Sequence, residues 1–415
     1  MKSYVIEGGK KLSGRVKIEC AKNALLPILA GSILTEEEVI IKNFPQIKDA
    51  MSMLEILKSL GCKISIDKDV VSIDSSGINS CEIPSNLTSE LRSSVFMLGG
   101  LISRFKKAKI SLPGGCKIGA RPVDMHIDCL KKMGADIREE NGVIICEKAD
   151  VKGGKIWLKY PSVGVTENLI MASVIGNFNT TIFNAAEEPE IKDLACFLNK
   201  MGAKVIGGGT KRIDIYGVKK LHGVTYSPIL DRIEMGTYLV AGAITGGEIE
   251  ISGAQAENIF PIINKFCDNT CKVCIKNDII YLKSNGFRRG FKISTGPYPE
   301  FPTDMQPQMT ALATVSRGVS AITENVFENR FGYLYELIKM GAKAKVVSNT
   351  AIIKGVSVLH GEKVFATDLR GGASLVLAGL NAEGTTTVCN IEHIERGYFD
   401  MCKKLASLGA SIKEI

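Results

Sequence analysis

The sequence predicts an α/β protein of two similar domains, because one unit of about 70 residues recurs six times along the 415-residue chain. The first observation is a repeated ending, in which an amphipathic helix stops at a glycine and a strand follows. It reads LKSLGCKI, LKKMGADI, LNKMGAKV, LIKMGAKA and KLASLGASI, with marker glycines Gly61, Gly134, Gly202, Gly341 and Gly409. A degenerate sixth copy, INKFCDNTCKV, has Asn269 in place of the glycine.

A second helix repeats in phase with the first and is apolar nearly all round, as is typical of a helix buried among other elements. Its copies read NALLPILAGSIL, SSVFMLGGLIS, NLIMASVIGNF, GTYLVAGAITGG, MTALATVSRG and SLVLAGLNAEG. Each leads into a β-rich stretch such as EVIIKNF or TTIFN. Two helices and several strands per copy indicate a βαβαββ-type repeat, three to a domain.

Composition favours a cytoplasmic protein. The chain is 45% hydrophobic and 23% charged, and none of its apolar runs approaches the length of a membrane span. The beginning, MKSYVIEGGKKLSG, lacks the apolar core of a signal peptide. Twelve cysteines without an export signal indicate a reducing compartment and free thiols. We therefore expect neither membrane insertion nor secretion.

The net charge of +8 favours anionic ligands. Nucleic-acid binders usually cluster their basic residues and interleave aromatics for stacking. Here basic residues occur in pairs at most, as at Arg288-Arg289, and aromatics are only 6% of the chain. Small ligands rich in phosphate therefore fit better than nucleic acid.

Polar residues open the six buried helices, where free N–H groups and the helix dipole attract anions. They are Lys22-Asn23, Glu90 with Arg92, Thr166 to Asn168, Asp231-Arg232, Thr303-Asp304, and Thr367-Asp368 with Arg370. Most are ordinary helix caps. Lys22, Arg92 and Arg370 are not, since a cation there opposes the dipole, and they predict a bound anion. The junctions before the surface helices add Asp49, Glu188, Arg330 and Arg396.

The loop LPGGCKIGARP carries a cysteine, Cys116, on an insertion about four residues longer than the matching junctions. A glycine-rich insertion of this kind is typical of a mobile flap. Lys117 and Arg121 would favour the thiolate of Cys116. A helix is predicted to begin at Pro122, which suits a first helical position.

Two other patterns leave alternatives open. Cys267, Cys271 and Cys274 could form part of a metal site, but four scattered histidines supply no obvious further ligand. His126 fits a helix-surface residue better than a catalytic base. The sequence contains neither a Walker loop nor a dinucleotide fingerprint.

The chain resembles the bacterial enolpyruvyl transferases from end to end. The motifs that carry the resemblance are AKNALLP, LRSSVFMLG, PGGCKIGARPVDMH, SVGVTEN, DRIEMGTYLVA, FPTDMQ, TENVFENRF, TDLRGGASLVLAG and HIERGY. The resemblance implies two inside-out α/β barrel domains of three repeats each. Residues 22–229 would form the first, and residues 1–21 with 230–415 the second, so that the N-terminal strand joins the second domain.

The resemblance also implies a function, carboxyvinyl transfer of the EC 2.5.1.7 type. The enolpyruvyl group of phosphoenolpyruvate would pass to the 3-hydroxyl of UDP-N-acetylglucosamine by addition and elimination, with release of phosphate. This is the first committed step of peptidoglycan synthesis, and so serves cell-wall biogenesis, cell shape and division. The implied protein is fosfomycin-sensitive and has no metal, cofactor, nucleic-acid or membrane partner, apart from a possible phosphoenolpyruvate adduct on Cys116. The sequence does not determine the oligomeric state, and a monomer is favoured.

Roles for single residues follow from the same resemblance. Lys22 and Asn23 would lie at the phosphoenolpyruvate end, with Arg121 and Arg396 on its phosphate and carboxylate. Cys116 or Lys22 would supply the proton, and Asp304 would be the base for the 3-hydroxyl. The implied catalytic residues are thus Cys116, Asp304, Lys22 and Arg396. The implied substrate-binding residues are Lys22, Asn23, Arg92, Arg121, Pro122, Val123, Asp124, Met125, Asp304, Val326, Arg330, Arg370 and Arg396.

Two rival functions differ from this one in what they require. The related enzyme that acts on shikimate 3-phosphate shares the fold but lacks the cysteine flap, so GGCKIGARP argues against it. A non-catalytic repeat protein or nucleic-acid binder on the same scaffold would not need Cys116, Asp304 and Arg396 together.

Overall fold

The structure, a computed structural model, describes residues 2–112, 118–119, 123–253, 256–267, 271–286 and 288–415, with the backbone alone at residues 256 and 267. The chain forms two units. The N-terminal unit comprises Cys20–Gly115 and Arg121–Ile229, and the C-terminal unit comprises Met1–Glu19, Cys116–Ala120 and Leu230–Ile415. The first boundary therefore lies at Glu19, whereas the sequence placed it after residue 21.

A short stretch of the predicted first domain belongs to the C-terminal unit instead. Of Cys116–Ala120 the structure describes Ile118 and Gly119. The carbonyl of Ile118 accepts a hydrogen bond of 3.0 Å from the backbone N–H of Asn329, which explains the grouping.

Twenty-four strands lie within the described residues. In chain order they are β1 (Ser3–Glu7), β2 (Ser13–Lys17), β3 (Val39–Lys42), β4 (Lys63–Asp67), β5 (Val70–Asp74), β6 (Glu82–Ile83), β7 (Ala108–Ser111), β8 (Ala135–Glu140), β9 (Val143–Ala149), β10 (Gly154–Trp157), β11 (Asn179–Phe183), β12 (Lys204–Ile206), β13 (Arg212–Tyr216), β14 (Val224–Tyr226), β15 (Glu248–Ser252), β16 (Lys272–Lys276), β17 (Ile279–Lys283), β18 (Lys292–Ser294), β19 (Val319–Thr323), β20 (Lys343–Val347), β21 (Thr350–Lys354), β22 (Lys363–Phe365), β23 (Thr385–Cys389) and β24 (Ser411–Glu414).

The same part of the chain contains thirteen α-helices and four short 3-10 turns. The helices are α1 (Lys22–Gly31), α2 (Lys48–Leu60), α3 (Ser85–Glu90), α4 (Met97–Phe105), α5 (Asp124–Lys132), α6 (Val163–Ser173), α7 (Pro189–Lys200), α8 (Arg232–Thr245), α9 (Ala256–Cys267), α10 (Gln306–Thr314), α11 (Leu334–Lys339), α12 (Leu369–Asn381) and α13 (Met401–Ser407). The 3-10 turns are Ser32–Leu34, Arg92–Phe96, Thr303–Met305 and Ile391–His393.

Three four-stranded sheets in each unit share one strand pattern among the described residues. Each has a parallel edge strand, a central strand beside it and then an antiparallel pair. The orders are β14-β3-β5-β4, β6-β7-β9-β8 and β10-β11-β13-β12 in the N-terminal unit, and β16-β17-β15-β2, β18-β19-β21-β20 and β22-β23-β1-β24 in the C-terminal unit. The predicted βαβαββ repeat is confirmed.

Register in these sheets follows the alternation of apolar residues. In the third sheet of the N-terminal unit, Ile182 of β11 lies opposite Ile156 of β10 and Ile213 of β13, and all three are buried. Their neighbours along the strands face the other side, because successive strand residues point to opposite faces. One face of each sheet can therefore cover buried helices.

Strands from distant parts of the chain complete the sheets. β14 pairs in parallel with β3 in the N-terminal unit. In the C-terminal unit β2 pairs in parallel with β15, while β1 lies antiparallel between β23 and β24. The two N-terminal strands thus belong to the C-terminal unit, as the resemblance implies.

The helices that the sequence marks as apolar all round form the centre of each unit. Nearly every residue of α4, α8, α10 and α12 is buried. α8, α10 and α12 pack against one another, and α4 packs against both α1 and α6. None of the helices in the described ranges is both long and apolar enough to cross a membrane.

The marker glycines have the conformation that their position requires. All five end a surface helix with φ between 94° and 111°, a region that L side chains rarely adopt. The prediction of a glycine stop is therefore confirmed for five repeats. Asn269, the substitute in the sixth, lies outside the described residues.

Two predicted helix starts differ from those observed. α5 begins at Asp124 instead of Pro122. α6 begins at Val163, and the Ser162 hydroxyl accepts from the Val165 N–H, so the cap lies four residues before the predicted one at Thr166. Thr166 to Asn168 consequently lie further into the helix, where they are buried.

Glu167 is the most unusual consequence of this shift. Its side chain is fully buried, and neither carboxylate oxygen has a hydrogen-bond partner among the described residues. Burial raises the pKa of Glu167 well above its usual range, and the nearby carboxyl groups of Glu190 and Glu188 raise it further. The folded state therefore holds a proton there that the unfolded chain releases near pH 4.

We predict that Glu167→Gln stabilises the N-terminal unit at pH 8 and leaves its stability unchanged near pH 4. A pKa raised by folding makes stability fall as pH rises from the unfolded value toward the folded one, by about 1.4 kcal/mol for each unit of the raise. Glutamine has the same shape and does not ionise. Urea unfolding followed by fluorescence of Trp157, the single tryptophan of the chain, reports on this unit.

Glu139→Gln, at an exposed position on β8, is the matched control and should leave stability unchanged at both pH values. Equal stability of wild type and Glu167→Gln at pH 8 would contradict the prediction.

Candidate active site

Three of the predicted residues form one ionic cluster in the C-terminal unit. Asp304 Oδ1 lies 3.0 Å from Arg330 Nη2, and its Oδ2 lies 3.2 Å from Arg370 Nη2 and 3.3 Å from Arg370 Nε. Both arginine side chains are only 2% exposed, whereas that of Asp304 is 26% exposed. The carboxylate is therefore held by two buried cations and still reaches solvent.

The turn that carries Asp304 is held by a buried carboxylate. Glu324 accepts hydrogen bonds of 2.9 Å from the hydroxyls of Thr303 and Thr295. Its Oε1 also accepts the backbone N–H of Val326, at 2.9 Å. Glu324 thus joins the 3-10 turn before α10 to the loop after β19, where it holds the backbone of Val326.

Arg370 is positioned by all three buried helices of its unit. It lies in the first turn of α12, which Asp368 caps by accepting the N–H groups of Arg370 and Gly371. Its guanidinium lies 5.1 Å from the centre of the Tyr398 ring. The Tyr398 hydroxyl lies 2.8 Å from that of Thr237 on α8 and accepts a hydrogen bond from the Gln308 side chain on α10.

The surroundings of Arg370 keep it charged and leave donors available. Burial alone would lower the pKa of Arg370, but the oxygens of Tyr398 and Asp304 outweigh it and raise the pKa above its usual range. Arg370 Nη1 and Arg330 Nε are buried and have no hydrogen-bond partner in the part of the chain that the structure describes. A bound anion would satisfy such donors.

Charge at this end of the helices suits both anion binding and proton transfer. The positive dipole ends of α10 and α12 meet at Asp304 and Arg370. The Asp304 carboxylate, held by two guanidinium groups and still reaching solvent, can accept a proton from a hydroxyl. Arg396 is half-buried on the loop after the Ile391–His393 turn, two residues before Tyr398.

Lys22 forms a second ionic pair, in the N-terminal unit. It is the first residue of α1, and its Nζ lies 2.7 Å from Asp49 Oδ2 in the first turn of α2. The side chains are 13% and 4% exposed. Asn23 follows on α1 and is half-buried. The first residue of the buried helix is therefore in contact with the junction before the surface helix in this repeat. Asp304 and Arg330 make the equivalent contact in the C-terminal unit.

The remaining described site residues of this unit lie at the starts of two other helices. Arg92 opens the 3-10 turn before α4 and is half-buried. Val123 is buried, and Asp124 and Met125 form the exposed and half-buried beginning of α5. Cys116, Arg121 and Pro122 lie outside the described residues.

His126 is not the helix-surface residue that the sequence suggested. It is buried, and its Nδ1 lies 2.8 Å from Asn168 Nδ2. Asn168 also accepts the Gly99 N–H and donates to the Val95 carbonyl. Since the Asn168 amide nitrogen can only donate, both to the Val95 carbonyl and to His126, Nδ1 of His126 is the acceptor. The histidine therefore ties α5 to α6.

The described thiols differ in exposure. Cys62, Cys129 and Cys146 are buried, and burial raises their pKa, to about 12 for Cys62 and about 11 for Cys146. Cys196 and Cys274 are exposed. Among the described residues, His, Cys, Asp and Glu do not gather in groups of three or more that could bind a metal ion.

Sequence reasoning missed Glu324, Tyr398 and the pairing of Asp49 with Lys22. All three lie in or beside stretches that it had singled out: TENVFENRF, HIERGY and the junction before α2. An acidic residue directly after the predicted strand SAIT was a usable sequence signal for Glu324. Nothing in the sequence indicated that Tyr398 would lie beneath Arg370.

Comparisons with known proteins identify the family of the chain. The sequence matches the family of EPSP synthase (3-phosphoshikimate 1-carboxyvinyltransferase) over residues 6–405. It is 48% identical over 416 residues to UDP-N-acetylglucosamine 1-carboxyvinyltransferase 2 from Caldanaerobacter subterraneus, covering 100% of both chains. It is 46% identical to UDP-N-acetylglucosamine 1-carboxyvinyltransferase from Finegoldia magna, covering 100% of this chain and 99% of that protein.

Solved structures show the same fold. The enolpyruvyl transferase NikO from Streptomyces tendae is similar with a TM-score of 0.91 at 25% identity, over 100% of this chain and 98% of that one. An EPSP synthase from Acinetobacter baumannii is similar with a TM-score of 0.76 at 18% identity, over the whole of both chains. The chain belongs to the EPSP synthase-like family of enolpyruvyl transferases.

Proposed function

We propose that this protein transfers the enolpyruvyl group of phosphoenolpyruvate to the 3-hydroxyl of UDP-N-acetylglucosamine and releases phosphate, the first committed step of peptidoglycan synthesis. The observation that carries the proposal is the carboxylate of Asp304 between the buried guanidinium groups of Arg330 and Arg370. The names of relatives that are 44% to 48% identical over essentially their full length support it.

The reaction needs a base, an acid and a set of cations. The 3-hydroxyl oxygen forms a bond to C2 of phosphoenolpyruvate while C3 gains a proton, which gives a tetrahedral phosphate ketal. Loss of a proton from C3 and of phosphate from C2 then regenerates the double bond. In this proposal Asp304 takes the hydroxyl proton, and Arg330 and Arg370 stabilise the negative charge around it.

Lys22 would contribute on the phosphoenolpyruvate side. Its ammonium group stands at a helix start where a cation opposes the dipole, and its Nζ pairs with Asp49. We propose that Lys22 and Asn23 contact phosphoenolpyruvate, with Arg121 and Arg396 on its charged groups. Either Lys22 or Cys116 then supplies the proton to C3.

The sugar nucleotide is proposed to bind Arg92 and the residues from Arg121 to Met125. The remaining parts of the proposal are that the protein acts in the cytoplasm as a monomer, without metal or cofactor. A covalent phosphoenolpyruvate adduct on Cys116 is part of the same proposal.

One assay distinguishes this function from that of the shikimate 3-phosphate enzyme, whose family description the chain matches. Phosphate release from phosphoenolpyruvate is measured with UDP-N-acetylglucosamine, with shikimate 3-phosphate and with neither. Phosphate release from phosphoenolpyruvate that occurs with UDP-N-acetylglucosamine, but neither with shikimate 3-phosphate nor without an acceptor, supports the proposal. Release that requires shikimate 3-phosphate would replace it with the rival function.

We predict that Asp304→Asn folds normally but loses about two to four orders of magnitude in kcat, the usual contribution of a general base. The amide keeps the shape and one acceptor oxygen but cannot take the proton. Steady-state phosphate release measures kcat, and circular dichroism checks folding.

Asp278→Asn, on an exposed turn of the same unit, is the control and should retain wild-type turnover. Near-normal kcat in Asp304→Asn would remove Asp304 from the role of base.

We predict that fosfomycin, an epoxide phosphonate, alkylates Cys116 before any other thiol, and that UDP-N-acetylglucosamine accelerates the labelling. The buried thiols have raised pKa values, so the exposed Cys196 and Cys274 are the useful internal references. Peptide mass spectrometry over time measures modification at each cysteine.

Cys116→Asp should resist the epoxide because a carboxylate is the poorer nucleophile, yet it can still carry a proton. Equal labelling of Cys116, Cys196 and Cys274, or labelling that the sugar nucleotide leaves unchanged, would contradict a reactive flap.

A further inference from the structure

Asp193, a buried carboxylate of α7, has so far been assigned no role. It is 4% exposed. Its Oδ1 accepts a hydrogen bond of 2.6 Å from the Tyr226 hydroxyl, and its Oδ2 accepts one of 3.0 Å from the backbone N–H of Ile229. The side chain thus binds the last residue of β14, Tyr226, and the segment that follows β14, at Ile229.

The Tyr226 side chain is held along one face of α7. Its ring makes an edge contact with Phe197, with 5.3 Å between ring centres, and Lys200 Nζ lies 5.1 Å from the ring centre. Asp193, Phe197 and Lys200 are spaced four and three residues apart, so they share one face of the helix. The end of the N-terminal unit is therefore attached to α7 over two turns.

This segment in turn holds the beginning of α1. The carbonyl of Ile229 accepts a short hydrogen bond, 2.7 Å, from the backbone N–H of Ala21. Ala21 is the N-cap residue of α1 and has no side chain that could cap the helix. The next residue is Lys22. A chain of hydrogen bonds therefore runs from Asp193 through Ile229 and Ala21 to the first residue of α1.

We propose that Asp193 is a positioning residue for Lys22, acting through the backbone of Ile229 and Ala21. Asp49 directs the far end of the Lys22 side chain, and Asp193 sets where its backbone begins. The catalytic consequence rests on the proposed function, in which Lys22 contacts phosphoenolpyruvate. The structural part, that Asp193 orders residues 21 and 22, does not.

Removing the carboxylate would act on both bonded groups. The Ile229 N–H would lose its acceptor in a buried region, and the Tyr226 hydroxyl would keep only the Asp193 backbone carbonyl, at 3.2 Å. This favours a local rearrangement that lets water reach the Ile229 N–H. Ala21 would then lose a fixed partner for its N–H, and Lys22 would start from a less defined position. Small displacements of a positioning group reduce rates strongly even when the group itself is intact.

The variants separate positioning from stability. Asp193→Ala removes both acceptors, whereas Asp193→Asn keeps one oxygen for the Ile229 N–H. Tyr226→Phe removes the other contact and leaves the carboxylate on Ile229. Cys196→Ala, at an exposed position on the same helix, is the matched control.

Amide hydrogen exchange is the first measurement and does not require activity. In Asp193→Ala we expect exchange at Ala21 and Ile229 to rise at least about 10-fold, with Asp193→Asn close to wild type and the core strand β11 unchanged. Wild-type exchange at both amides in Asp193→Ala overturns the proposal. If Asp193→Ala does not fold, Asp193→Leu, which removes both acceptor oxygens but keeps a side chain of similar volume, takes its place. Exchange at Ala21 and Ile229 should then rise in Asp193→Leu and stay at the wild-type rate in Tyr226→Phe, which keeps the Ile229 contact.

Steady-state kinetics at pH 8 is the second measurement. We expect Asp193→Ala to raise KM for phosphoenolpyruvate about 10-fold and to leave KM for UDP-N-acetylglucosamine within about 2-fold, with rescue by Asp193→Asn. Equal changes in both KM values, or none, would contradict positioning of Lys22. A wild-type protein that does not use these substrates would refute the proposed function, while the exchange result would still decide whether Asp193 orders residues 21 and 22.

Discussion

Burial of three apolar helices at the centre of each unit is the constraint on which the rest of the structure depends. A helix that is apolar all round must be covered on every side, so three sheets with one apolar face each surround the triplet. Charged groups that contact a ligand are then confined to the helix ends. Their first turns leave backbone N–H groups unbonded, and this is where Asp304, Arg370 and Lys22 are found.

The same constraint explains why charged groups in this protein are so often buried and paired. In the C-terminal unit Glu234 on α8 accepts the N–H of Glu19 at 3.1 Å and the ammonium of Lys404 at 2.8 Å. Burial raises the pKa of Glu234 to about 7, and Lys404 opposes that effect. Asp193 is the corresponding buried carboxylate of the N-terminal unit, where it accepts the N–H of Ile229. Each carboxylate holds a residue at which the chain leaves that unit, Glu19 in one case and Ile229 in the other.

Equivalent positions of the repeats differ in chemistry because they carry side chains of different charge. One repeat pairs a lysine at the helix start with an aspartate at the junction, Lys22 with Asp49, and another reverses the charges, Asp304 with Arg330. In the third repeat the helix-start region and the junction both carry acids, Glu167 and Glu188. Burial, and after it the carboxyl groups of Glu190 and Glu188, raises the pKa of Glu167 well above its usual range. A single fold unit can therefore supply a cation, a base or a neutral acid.

Local patterns in the sequence determined the repeat, the glycine stops, the apolar helices and the polar residues at their starts, because periodicity and backbone conformation depend on neighbouring residues. The resemblance added the place of the N-terminal strands. Tertiary structure alone decided that Asp304 meets Arg370, 66 residues away, that His126 turns inward to Asn168, and that α6 begins at Val163. Such contacts depend on sheet register and on the rotation of packed helices, which no short window of sequence contains. Asp193 shows this most clearly, since its role depends on two backbone groups that have no side-chain signature at all.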